Sequence, residues 1–93
     1  MLVEPSITFD AAAAWRINAQ VSLRDEAFGA MAYHHGTRRL VFLKSPELVE
    51  LVRSLERYES AHHAIDAVVA CEQFDRYATA LLSLANSEII CER

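Results

Sequence analysis

The sequence predicts an α+β fold in which a three-stranded antiparallel sheet is followed by three helices, in the order βββααα. Three observations carry this. Residues Trp15 to Arg24 alternate between apolar and polar side chains, the period of a half-buried strand. Short polar links separate this run from two more strand-like runs, as in an antiparallel meander. After Lys44 the apolar residues recur every three or four positions, which is the period of a helix.

Each element follows in order. Met1 to Ala14 is a lead-in: Pro5 interrupts any regular structure, and the run Ala11–Ala14 has helix propensity without a partner face. In the first strand Trp15, Ile17, Ala19, Val21 and Leu23 fall on one side, with Arg16, Asn18, Gln20, Ser22 and Arg24 on the other. Asp25-Glu26-Ala27 links it to a second strand, Phe28 to His34, which Gly29 weakens. His35-Gly36-Thr37 makes a turn, with Gly36 as the residue able to supply a positive φ. The third strand is Arg38 to Lys44. Ser45 then caps a helix that has Pro46 at its first position and Glu47 in its first turn. This helix runs to about Tyr58 with Leu48, Leu51, Val52 and Leu55 on one face. Ser60 caps a second helix carrying Ala61, Ala64, Ile65 and Val68. The third spans about Cys71 to Asn86, with Phe74, Tyr77, Ala78, Leu81 and Ala85 as its stripe. Leu82 and Leu84 flank that stripe, so this helix is apolar around more than half its circumference. Ile89 and Ile90 pack where the chain ends.

Composition bounds the function. A chain of 93 residues, 53% hydrophobic and 24% charged, reads as one globular domain over residues 1–93 rather than a disordered segment. The net charge of −4 opposes sequence-independent nucleic-acid binding, which requires cations to displace phosphate counterions. The sequence shows neither a signal-peptide pattern nor an apolar run near the ~20 residues of a membrane span, so the expected location is the cytoplasm, with Cys71 and Cys91 as thiols.

The reactive side chains form no catalytic or metal-binding pattern. His34 and His35 are neighbours in a strand and point to opposite faces. His62 and Asp66, four apart on a helix, could share a metal but have no third ligand, so a solvated helix face is the simpler reading. Cys71 near His62 or His63 lacks a fixed base and an oxyanion hole, and reads as a partly buried structural cysteine. With two glycines in the chain, Gly29 and Gly36, no Gly-rich phosphate loop can be built. Glu47, Glu50 and Glu56 belong on a solvated helix face. The expectation is a chain that is not an enzyme and needs no cofactor.

The third strand departs from the pattern of the first. Leu40-Val41-Phe42-Leu43 is apolar on both faces, and as the last strand of a meander it lies at a sheet edge, where its outward N–H and C=O groups have no neighbour. Arg38, Arg39 and Lys44 flank it with positive charge. Either the helices or the lead-in cover its second face, or the strand serves as a docking edge for an extended acidic peptide. Sequence parity leaves open which of the four residues face the core.

The segments "FDAAAAWRINAQVSLR", "FGAMAYHHGTRRLVFLK" and "SPELVELVRSL" together resemble the peptide-chaperone family of mycofactocin biosynthesis, over about Phe9 to Ile90. The most specific part is "FGA…YH.GTR.L.FLK". That family is similar to the chaperone of pyrroloquinoline quinone biosynthesis, and both are recognition elements for ribosomally made precursor peptides. The resemblance implies a winged-helix-like βββααα fold and a non-catalytic role. It implies that the precursor docks as an added strand between the third strand and the third helix: Arg39, Leu40, Val41, Phe42, Leu43 and Lys44 on one side, Arg76, Tyr77, Ala80, Leu81 and Leu84 on the other. It further implies two partners, a short precursor peptide ending in Val-Tyr and a radical S-adenosylmethionine maturase. The iron–sulfur chemistry would be the maturase's, since this chain lacks clustered cysteines. Two alternatives differ in class. A winged-helix DNA-binding domain would need a basic or amide-rich third helix, whereas Glu72 to Glu88 contains one basic residue, Arg76. A small dimerisation module would pair the apolar strand with its own copy.

Overall fold

A computed structural model describes residues 9–93; the break expected at Pro5 lies outside them. The described residues form five strands and three α-helices. The strands are β1 (Trp15–Ile17), β2 (Val21–Glu26), β3 (Gly29–His34), β4 (Arg39–Leu43) and β5 (Ile90–Glu92); the helices are α1 (Pro46–Ser54), α2 (Ala61–Val68) and α3 (Phe74–Asn86). Short 3-10 turns at Leu55–Arg57 and Cys71–Gln73 precede α2 and α3. The predicted antiparallel sheet is present in the order β2-β3-β4, and the three helices follow it.

The predicted first strand is two strands. Asn18 ends β1: its side-chain Oδ1 accepts the Gln20 N–H at 2.9 Å, and its carbonyl accepts the Val21 N–H at 2.9 Å. Asparagine commonly closes such a turn with its side chain. Alternation survives in the sequence because the turn leaves Ala19 exposed between two properly phased strands. β1 then pairs antiparallel with β5, Ile17 opposite Ile90 and Trp15 opposite Glu92, a strand that sequence reading took for packed residues. The return is made by Glu88, at φ 64°. Beyond the end of α3 the Ile89 N–H donates to the Leu84 carbonyl at 2.9 Å, and the Glu88 N–H to Ala85 at 3.0 Å. This double closure is a Schellman ending, built here without glycine.

The lead-in forms no helix at Ala11–Ala14. It is a turn in which the Asp10 carboxylate accepts the Ala12 N–H at 3.0 Å. Its carbonyls cover the start of α2: the Ala61 N–H donates to Ala13 and the His62 N–H to Ala11, at 3.0 and 2.8 Å. Together with the Ser60 side chain, which accepts the His63 N–H, they satisfy donors that a helix start otherwise leaves unpaired. Ser45 caps α1 as expected, accepting the Leu48 N–H at 3.1 Å. On α1 the core side is Val49, Leu51 and Val52, and Leu48 is only half-buried. On α3 it is Tyr77, Leu81, Leu84 and Ala85, with Leu82 exposed. These residues and Trp15, Ala30, Ala32, Leu43, Leu55, Ile65, Ile89 and Ile90 form one buried cluster joining both sheets to the helices.

Two glycines have roles other than those expected. Gly29 does not weaken β3. It sits at φ 152°, and a Cβ there would stand 2.1 Å from the Leu43 carbonyl oxygen, so the close β3–β4 approach requires its bare Cα. The hairpin between β3 and β4 has a four-residue loop, His35 to Arg38, and its positive φ belongs to Arg38 (64°), not Gly36.

Candidate functional site

β4 has no neighbour on its second side among the described residues, so it is an edge. Which of its backbone groups face outward follows from the hairpins. Glu26 and Gly29 bracket a two-residue turn, which closes with a hydrogen-bonded pair. Six residues on, the His35 N–H donates to the Gln20 carbonyl at 2.8 Å. Bonding alternates along an antiparallel pair, so the odd-numbered residues of β3 face β2, while Ala30, Ala32 and His34 face β4. Their partners are Leu43, Val41 and Arg39. The N–H and C=O groups of Leu40 and Phe42 therefore point to the open edge.

Side chains resolve the parity that the sequence left open. Leu43 is fully buried and Val41 half-buried on the core face, whereas Leu40 and Phe42 are each 48% exposed on the other. The two-sided strand thus keeps an uncovered apolar face.

One end of β4 is set by His34, which is buried at the start of the hairpin. Its Nδ1 accepts two backbone N–H groups, from Gly36 at 3.0 Å and Thr37 at 3.1 Å. The loop closes further through the Arg38 N–H, which donates to the His34 carbonyl at 2.7 Å. The other end runs through Lys44 into the Ser45 cap of α1.

Of the eleven residues expected at the site, Lys44, Arg76, Tyr77 and Ala80 come together. With Ser45 and Leu48 they line a cavity of about 150 Å³ between the end of β4 and α3. A second hollow of about 400 Å³ continues along Ser45, Glu47, Val68, Val69 and Gln73. Arg76 is exposed above these hollows and Tyr77 is buried beneath. Arg39, Leu40 and Phe42 are exposed along the edge itself. Leu43, Leu81 and Leu84 are core residues with almost no surface, and so support the groove from below instead of lining it. Sequence reading missed Leu48, whose neighbour Val49 takes the core place on α1. It also missed the aromatic and sulfur side chains behind the edge, Phe28, Met31 and Tyr33.

The larger hollows lie elsewhere. One of about 460 Å³, by Asp25, Gly29, Arg53 and Arg57, is crossed by the Arg53–Asp25 ion pair at 2.9 Å. Another of about 500 Å³ is lined by Ala11, Ala12, Glu59, Ser60, His62 and His63. His62 meets Asp66 at 3.7 Å, and no third ligand joins them; no group of three His, Cys, Asp or Glu converges among the described residues. Cys71 is exposed, not partly buried as expected, and Cys91 is half-buried. Among the described residues no helix is long and apolar enough to cross a membrane.

An uncapped, apolar, cation-flanked strand edge beside a helix-lined groove defines a class: small α+β modules able to take an extended peptide as an added strand. Comparison with known proteins shows the family. Residues 14–91 match the model of the peptide chaperone MftB family. The peptide chaperone MftB of Mycolicibacterium smegmatis is 44% identical over 89 residues, covering 95% of this chain and 87% of the relative. Those of Mycobacterium tuberculosis and Mycobacterium ulcerans are 40% and 41% identical, covering 95% and 88% of this chain and 82% and 76% of each relative. The chain belongs to the peptide chaperone MftB family. No solved structure matches it significantly.

Proposed function

We propose that the chain is a non-catalytic chaperone of mycofactocin biosynthesis, acting in the cytoplasm as a single recognition domain. It binds the short precursor peptide, which ends in Val-Tyr, as a fourth strand on β4 and presents it to a radical S-adenosylmethionine maturase. The observation that carries this reading is the outward backbone of Leu40 and Phe42 on an edge bordered by the cavity at Lys44, Arg76 and Tyr77. Main-chain hydrogen bonds give affinity in such docking, and adjacent pockets give register. The edge from Arg39 to Lys44 is roughly 20 Å long, room for about six residues of peptide. Arg39 and Lys44 lie at its two ends, where carboxylates of the peptide would meet them. The membership of the family supports the chaperone role, and the exposed acids at the start of α3, Glu72 in the turn before it and Asp75 in its first turn, oppose insertion into a DNA groove.

Calorimetric titration of the purified chain with synthetic precursor tests the reading. Saturable one-to-one binding is expected, with no change in the peptide's mass until the maturase is added. Absence of binding would overturn it, as would peptide modification by the chain alone.

A further inference from the structure

We infer that the edge reads its peptide from both faces: besides the groove toward α3, the outer patch of Phe28, Leu40 and Phe42 selects apolar side chains at two alternate positions of the docked strand. This inference rests on the docking reading above and adds a second recognition surface to it. The residues whose backbone groups face the open edge are the same ones whose side chains stand half-exposed on the outer face. A strand bonded to Leu40 and Phe42 places its opposite residues on that face, with Cβ atoms about 4.5–5.5 Å away. The contact is therefore a consequence of docking and needs no movement of the protein.

The outer face is graded toward the edge. On β2 it carries Ser22 and Arg24, both exposed; on β3 Met31 and Tyr33, half-buried; on β4 Leu40 and Phe42. A face that merely met water would have no reason to become apolar in the direction of the missing strand. Phe28, 43% exposed in the β2–β3 turn, meets Phe42 edge-on at 5.8 Å and backs it from the side. Charge decides the occupant. Antiparallel pairing of β4 with a second copy in the phase its open edge allows, Leu40 opposite Phe42 about a centre at Val41, sets Arg38 opposite Lys44 at both ends, and like charges directly opposite destabilise a strand pair. A peptide with carboxylates beyond a pair of apolar residues two positions apart meets the same edge with opposite charge.

The test scans synthetic mycofactocin precursor peptide with serine, one residue at a time, and measures affinity by fluorescence anisotropy for the natural chain and for Phe28→Ser, Leu40→Ser and Phe42→Ser. Phe28→Ser touches neither the core nor the edge backbone, and separates loss of the patch from loss of the fold. Two precursor positions, two residues apart, should each lose about tenfold in affinity on serine substitution, and the same substitutions should cost the Phe42→Ser chain little. If the natural chain binds precursor and all three variants bind it equally well across the scan, the outer-face inference falls while the chaperone reading stands. If the natural chain binds no precursor, the chaperone reading itself falls. If sedimentation shows that the variants change self-association and leave peptide affinity intact, the face belongs to a second copy and the inference is overturned.

Discussion

His34 is a side chain doing the work of a backbone acceptor. The four-residue loop between β3 and β4 turns the chain so that the Gly36 and Thr37 N–H groups point back at the end of β3, where the buried His34 Nδ1 accepts both. Truncation removes the ring and leaves two donors unpaired, so His34→Ala should lower stability by about 2–4 kcal/mol, read as a drop in the urea midpoint with unchanged slope. A midpoint like that of the natural chain would show that water replaces the ring without loss. This is also where sequence reading had least to work with. Glycine is the usual holder of a positive φ, which pointed to Gly36. The structure instead gives the strained φ to Arg38 and uses Gly36 for close approach, since a Cβ there would meet the His34 ring at 3.0 Å. The deciding partner, a buried imidazole, is set by tertiary packing that spacing does not reveal.

Among elements, legibility followed locality. The signals that start α1 and α2 lie within four residues, Ser45-Pro46-Glu47 and Ser60, and both caps form. β5 has no such local signal: its pairing depends on β1, more than seventy residues earlier in the chain. The edge position of β4 was legible from strand order, but the phase of its backbone was not. That phase now makes a proline scan decisive. The Val41 N–H bonds to Ala32 inside the sheet, so Val41→Pro should unfold the hairpin and abolish cooperative melting. Leu40→Pro and Phe42→Pro remove N–H groups from the open side, a position where edge strands tolerate proline. Those variants should keep the circular dichroism of the natural chain and bind precursor at least about tenfold more weakly. Loss of folding at Leu40 or Phe42, with Val41→Pro tolerated, would reverse the assigned phase.

On the scale of the whole molecule, the β1–β5 pair fastens the described chain's first and last elements to one another. The Arg93 N–H donates to the Ala14 carbonyl at 2.8 Å, and its guanidinium reaches the carbonyls of Glu56 and Tyr58. Removing residues 90–93 strips Ile90 from the core and uncovers Trp15, the single tryptophan. Its emission should shift to the red, and stability should fall by several kcal/mol, as expected for loss of a buried large side chain together with a strand. Unchanged emission and melting would show the strand to be dispensable. The charge distribution also acts at this scale. The chain is acidic overall, yet Arg38, Arg39 and Lys44 hold positive charge at both ends of one strand. Arg39→Glu should weaken precursor binding more in low salt than in high salt, because exposed charges are screened as ions are added. An equal loss at both salt concentrations would remove charge attraction from the account.

β4 is held at both ends before any peptide arrives: by His34 and the loop it organises on one side, and by the Ser45 cap and the close packing of Gly29 against Leu43 on the other. On the proposed docking, a strand so fixed would lose little freedom on binding, and the ordering cost of the complex would fall on the peptide. Stiffening the peptide in extended form, for instance by N-methylation of an N–H that faces away from β4, should therefore tighten binding through a less unfavourable entropy, with the enthalpy nearly unchanged. Calorimetry on the modified and unmodified peptides would measure this, and an entropy that stays the same would place the ordering cost on the protein instead. In the proposed docking the strand would serve as a template set in advance, and the flexibility of the guest would tune the affinity of the pair.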